Sequence, residues 1–233
     1  MDRVLAVESV CKRFGRHQVL LSAGLWATAG RIGVLLGRNG AGKTTLLKIT
    51  VGLLRADEGI VIYGGERDLR PNLAWLARTG LLYLPSEGLL SKRHTVRRHF
   101  AALRHRFPEA QIESANEALG IGHLMDQRVH AMSGGERRRT EVAFALSRSP
   151  RCLLADEPFH SVSPKDAVVL SQALRRLADA GCAVLLTGHE VGPLLAVADD
   201  VYWMTAGTTH LLGPPSEARL HQQFQREYLA WRA

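Results

Sequence analysis

Gly37-Arg38-Asn39-Gly40-Ala41-Gly42-Lys43-Thr44-Thr45 fits the spacing G-x-x-x-x-G-K-[ST], in which backbone amides cradle a phosphate chain. The flanks agree with it. Arg31 to Leu36 (RIGVLL) is an apolar run of strand length, and Lys43 to Val51 reads as the helix that follows. Gly37, Gly40 and Gly42 permit backbone angles that point several N–H groups at one anion, and the helix N-terminus adds positive charge there. In this reading Lys43 meets the β- and γ-phosphates and the Thr44 hydroxyl meets Mg²⁺. A nucleoside triphosphate is therefore the expected ligand.

Working outward, 233 residues suffice for one α/β unit with an inserted subdomain. No apolar run reaches the roughly 18 residues of a membrane span. The first ten residues, MDRVLAVESV, lack the basic-then-apolar layout of a signal peptide. A cytoplasmic protein is expected. Cys11, Cys152 and Cys182 are scattered without metal-ligand spacing, as in a reducing compartment. The net charge is +8, which is compatible with nucleic acid or anionic headgroups but selects neither.

Val4 to Val10, Val19 to Trp26 and Ile60 to Tyr63 read as strands of an antiparallel sheet beside the phosphate-binding core. Gly80 to Leu84 is a buried strand ending at Pro85. Helical periodicity then takes over in three stretches, 95–106, 109–119 and 134–148. Strands return at Cys152 to Ala155 and Ala183 to Thr187, with a helix over 164–179 between them. The tail from Ser216 to Trp231 places Leu220, Phe224 and Trp231 at helical spacing, predicting one docked amphipathic helix.

Two further motifs surround the loop. Arg151 to Pro158 (RCLLADEP) is an apolar strand that delivers Asp156 and Glu157 at its C-terminal end, where ligand chemistry in open α/β sheets concentrates. Asp156 would hold Mg²⁺ through water and Glu157 would act as general base on an attacking water. Ser133-Gly134-Gly135-Glu136 is a capping box whose two glycines leave the helix amides open to an anion.

SGGE, the basic run Arg137, Arg138 and Arg139, and the acidic strand about twenty residues on together resemble the ATP-binding cassette family, over essentially the whole chain. The resemblance implies an α/β P-loop NTPase (RecA-like) core with an N-terminal antiparallel β subdomain and an inserted α-helical subdomain. Residues 1–233 would form one such domain, with core and β subdomain from 1–85 and 151–233, and the signature-bearing helical subdomain from 86–150. It implies that Phe14 stacks on adenine and that Gly37 to Thr45 bind the phosphates. It implies that Ser133 to Glu136 contact the γ-phosphate held by another protomer, and that His189 contacts the γ-phosphate and attacking water. Thr44, Asp156 and Ser86 fall at metal-binding positions, with Ser86 where the family usually has glutamine. Ser163, ahead of Pro164, likewise replaces a usual aspartate, although Ser163 and Asp166 can still cap the next helix. The scaffold is expected intact, with hydrolysis slowed or its coupling altered.

The implied function is ATP hydrolysis with Mg²⁺ by a peripheral subunit on the cytoplasmic membrane face, dimerising head to tail, as a homodimer, to drive separate transmembrane permease subunits. The run DEPF, the H-x-V-x-x-x-L-A-V pattern from His189 and the closing Arg226-Glu-Tyr-Leu are most similar to the ATPases of lipopolysaccharide exporters and branched-chain amino acid importers. Lys92, Arg93, Arg97, Arg98, Arg104 and Arg106 lie in the insertion that faces the membrane partner in that family. Two alternatives stay open: a soluble regulator or nucleic-acid-associated ATPase, and a binding-only cassette with weak hydrolysis. Nucleic acid is the disfavoured partner, because zinc-ligand spacing and a long coiled-coil insert are both missing.

Overall fold

The computed structural model describes residues 2–68 and 70–229. In chain order come β1 (Arg3–Phe14), β2 (His17–Thr28), β3 (Ile32–Gly37), α1 (Lys43–Thr50), β4 (Glu58–Tyr63) and β5 (Glu66–Asp68). Next are α2 (Leu73–Arg78), β6 (Leu81–Leu84), α3 (Val96–Arg106), α4 (Ile112–Leu119), α5 (Gly134–Leu146) and β7 (Cys152–Ala155). The chain then forms α6 (Pro164–Asp179), β8 (Ala183–Gly188), α7 (Val191–Val197), β9 (Asp200–Thr205) and β10 (Thr208–Gly213).

The strands share one sheet in the order β5-β4-β1-β2-β10-β9-β3-β8-β7-β6. β6, β7, β8 and β3 run parallel, so their C-terminal ends face one side. β1, β2, β4 and β5 pair antiparallel. This arm is continuous with the parallel part rather than a separate sheet beside it, because β10 pairs with β2 at Thr208 and Ser22.

Alternation along β3 explains the layering. All six of its residues are buried. Ile32, Val34 and Leu36 join the core under α3 to α7, while Leu35 joins the opposite core with Leu46 and Leu47 of α1. Each such side chain contributes about 1.5–3 kcal/mol on burial. Cys152 and Cys182 are buried within these layers.

Local signals set the helix starts. Ser163 accepts a hydrogen bond from the Asp166 N–H at 3.2 Å, and Pro164 occupies the first turn of α6, where its missing N–H costs nothing. Ser133 and Glu136 form the reciprocal capping box of α5.

The tail departs from expectation. In place of one helix over 216–231 the chain forms α8 (Pro215–Ala218), α9 (Gln222–Phe224) and a π-helical turn (Gln225–Leu229). His221 explains the break, since its ring accepts from the Phe224 N–H at 3.3 Å and so starts a new turn. Phe224 is buried beside Trp203, whereas Leu220 is 75% exposed. Trp231 lies outside the described residues.

Candidate nucleotide site

Four strand ends converge. β3 leads into the loop, β7 into Asp156 and Glu157, β8 into His189, and β6 into Pro85 and Ser86. A cleft of about 520 Å³ is lined by Val19, Asn39, Gly40, Gly42 to Thr45, Glu157, His160 and His189. Gly42 is glycine for two reasons, since its φ is +106° and a Cβ would sit 2.7 Å from the Leu20 side chain. The loop is thus pressed against β2.

Lys43 is 5% exposed. Its ammonium donates to the carbonyls of Gly37 at 2.6 Å and Arg38 at 3.2 Å. Burial pulls its pKa below the ordinary lysine range, against the opposing pull of Glu157, Asp156 and Glu190. An arriving polyphosphate would supply the counter-charge that this lysine lacks.

Asp156 is fully buried, and its two oxygens accept from the hydroxyls of Thr44, at 2.8 Å, and Thr187. A buried carboxylate met by hydroxyls rather than by a cation, with one hydroxyl at the phosphate loop, is a hard-oxygen donor set that fits Mg²⁺. Thr187 also accepts from the Glu157 N–H at 3.1 Å. One buried hydroxyl, which sequence reading passed over, therefore fixes both acids. The only signal for it was a polar residue closing the apolar run Ala183 to Leu186.

Glu157 holds a φ of +50°, a left-handed conformation costing about 1–3 kcal/mol for a non-glycine residue. Its carboxylate lies 3.4 Å from Nδ1 of His189. Acid and imidazole thus face the same cleft.

Other expected site residues stand elsewhere. Phe14 is 48% exposed at the end of β1, with the Lys12 ammonium 5.5 Å from its ring centre. The Ser86 hydroxyl faces the Glu87 carboxylate at 3.4 Å, and Glu87 in turn pairs with Lys48. Ser133 to Glu136 do not line the cleft; the Glu136 carboxylate accepts from the Ser133 N–H at 2.9 Å and from its hydroxyl at 2.8 Å. Within that capping box, a Cβ on Gly135 would meet an Asp166 oxygen at 2.4 Å. Asp166 also pairs with Arg139 at 2.9 Å, which ties the start of α5 to the start of α6.

Behind the site, the basic run after SGGE supplies a contact that sequence reading missed. The Arg138 guanidinium donates to the carbonyls of Pro85 at 3.2 Å and Ser86 at 3.0 Å, and lies 3.3 Å from the Glu141 carboxylate. Glu141 also accepts from the Leu89 N–H at 3.3 Å. These two side chains are 6% and 1% exposed. Burial pushes the Glu141 carboxyl up and pulls the Arg138 guanidinium down, each against the attraction of the other. The pair staples the 85–89 loop to α5. In the outer helices, Arg97 and Arg104 of the basic cluster pair with Asp126 and Glu113, so that face is not a bare positive patch.

Comparison with known proteins agrees with this geometry. A family model described as ABC transporter matches residues 22–160. The lipopolysaccharide export system ATP-binding protein LptB of Haemophilus influenzae is 34% identical, covering 97% of each chain. Its Escherichia coli K12 counterpart is 36% identical over 97% of this chain and 96% of its own. Among solved structures, a nucleotide-free ATP-binding cassette from an ABC transporter shares the fold at TM-score 0.83 and 23% identity, covering 95% of this chain and 96% of that one. A second cassette covers 100% of both chains at TM-score 0.86 and 22% identity. The matched span takes in the phosphate loop, the SGGE helix start and the acidic strand end, and with full-length relatives above 30% identity the chain belongs to the ABC transporter family, as an ATPase subunit.

Proposed function

We propose that two copies of this chain bind head to tail and hydrolyse Mg-ATP at two shared sites, moving separate transmembrane subunits as they close and open. In this reading Gly37 to Thr45 hold the phosphates, Glu157 draws the proton from the attacking water, and His189 orients that water and the γ-phosphate. Thr44 and Asp156 would hold Mg²⁺, which neutralises charge on the phosphates when bound. Phe14 supplies a face for adenine, and the Ser133 to Glu136 helix start completes the site from the second copy. Differential affinity of the open and closed dimer for ATP is what transmits work. Among the described residues no helix is long and apolar enough to cross a membrane, so the crossing is assigned to partner chains, with this subunit on their cytoplasmic face. Residues 86–150 act as the helical subdomain that meets them.

The carrying observation is the division of the site: loop, acids and imidazole line one cleft, whereas Ser133 to Glu136 do not. Mixing chains tests it. Lys43→Ala and Ser133→Arg should each be inactive alone, yet their mixture should recover roughly a quarter of wild-type turnover, because half the symmetric dimers are mixed and carry one intact site. A mixture as inactive as its components would overturn the shared site.

Slow basal turnover is part of the same proposal. The Ser86 hydroxyl is turned to Glu87, and the Ser163 hydroxyl donates to Asp166 at 2.7 Å, so neither reaches toward the cleft. Ser86→Gln should raise basal Mg-ATP turnover in a phosphate-release assay. An unchanged or lower rate removes Ser86 from the explanation.

A further inference from the structure

At the mouth of the cleft three side chains meet whose chemistry differs from that of the Thr44 and Asp156 oxygens. One donor atom each from Glu157, His160 and His189 lies within 4.8 Å of the other two, and among the described residues this is the one such group of three. A tetrahedral ion with bonds near 2.1 Å holds its donors about 3.4 Å apart. His189 Nδ1 and the Glu157 oxygen already stand at 3.4 Å. The His160 side chain is 54% exposed at the rim and can turn to close the remaining distance. Glu190 supports the arrangement from behind. One of its oxygens lies 3.4 Å from His160 Nδ1 and 3.6 Å from His189 Nε2. Such an outer carboxylate orients imidazoles, and it leaves the other nitrogen of each ring for an ion. Its second oxygen is buried and has no hydrogen-bond partner among the described residues.

Two imidazoles and one carboxylate suit Zn²⁺, whereas Mg²⁺ prefers oxygen ligands and keeps its waters. We propose that Glu157, His160 and His189 form a Zn²⁺ site, buttressed by Glu190, and that Zn²⁺ bound there arrests ATP hydrolysis. The ion takes the Glu157 and His189 lone pairs, so neither group is left to accept a proton from water or to orient it. Binding depends only on these ligands. Arrest depends also on the roles proposed above for Glu157 and His189.

The test titrates Zn²⁺ against a chromophoric chelator on the full chain without nucleotide. The expected result is one Zn²⁺ per chain, with affinity weakened at least roughly tenfold in His160→Ala, on the scale of losing one supporting group. His160→Cys should retain binding, because a thiolate is also a zinc ligand. If the His160 ring only packs against His189, whose ring centre is 5.7 Å away, Zn²⁺ affinity will be equal in wild type and His160→Ala, which overturns the site. Equal loss in the Ala and Cys variants overturns it too. In the second arm, Zn²⁺ should lower Mg-ATP turnover of wild type with a midpoint that tracks the binding constant, and His160→Ala should raise that midpoint at least about tenfold. Turnover indifferent to bound Zn²⁺ overturns the arrest. A wild type inactive without Zn²⁺ would instead count against the function proposed above.

Discussion

Glu157→Gln is expected to lower Mg-ATP turnover by about 10²–10⁴-fold, the usual contribution of a positioned general base, while leaving ATP binding intact. The substitution keeps the shape of the side chain and removes its capacity to take a proton. Lys43, Thr44 and the loop amides are untouched. Glu157 is one of three carboxylates that favour the charged form of buried Lys43, and Asp156 and Glu190 continue to do so after the substitution. Binding without turnover should make the ATP-bound dimer accumulate. Phosphate release measures the first effect, and sedimentation with and without Mg-ATP measures the second. Rates within about threefold of wild type, far below a general base's contribution, would remove Glu157 from the base role. Equal background rates in both proteins would favour a cassette that binds without hydrolysing.

Arg138→Ala is expected to destabilise the protein by about 3–5 kcal/mol, the range for removing one partner of a buried ion pair. Glu141 would be left almost fully buried without its counter-ion, and the Pro85 and Ser86 carbonyls would lose their donors. In a chain of this length that corresponds to a fall in melting temperature of roughly 6–20 °C. Replacing both partners with apolar residues, Arg138→Met with Glu141→Leu, should recover most of the loss, because it removes the uncompensated charge. A fall of less than about 3 °C for Arg138→Ala, under the range just given, would show that water reaches the pair in solution. If the double replacement melts as low as the single one, the carbonyl contacts rather than the charges hold the loop.

Features written in contiguous residues were legible from the sequence. The phosphate loop, the acidic strand end and the start of α6 each carry their reason within a few positions: a glycine pattern, a polar stop after apolar residues, a Ser-Pro cap. Contacts between distant segments were not. Thr187 gains its importance from Asp156, 31 positions away, and Arg138 from Ser86, 52 positions away. The basic run after SGGE reveals the role of Arg138 only once the loop at 85–89 is folded onto it. β9 was also invisible: in DVYWMT the four central residues are all buried, so no alternation marks the strand. β10 escaped because TTHLLG is polar where it begins and none of its residues is fully buried, so no apolar alternation marks it. In the tail, helical spacing outweighed a ring that caps, and one histidine redirected the chain.

The junction between β2 and β10 has a mechanical consequence. Across it the ladder holds one paired position, the Leu21 N–H to Gly207 carbonyl bond at 2.8 Å, and the Thr209 hydroxyl bonded to both N–H and carbonyl of Gly24. The Tyr202 hydroxyl of β9 reaches past it to the Trp26 carbonyl at 3.0 Å. Side chains thus replace rungs that a longer ladder would provide. Phe14 belongs to the strands on one side of this seam, and the phosphate loop follows β3 on the other. A nucleotide with its base against Phe14 and its phosphates in the loop would add a bridge between two sides that already share one apolar core, in which Leu5, Val7 and Leu20 of the arm pack in the same cluster as Leu35 and Leu46. ATP would then stiffen the subunit that it fuels, and the adenine end would add to the hold on the arm.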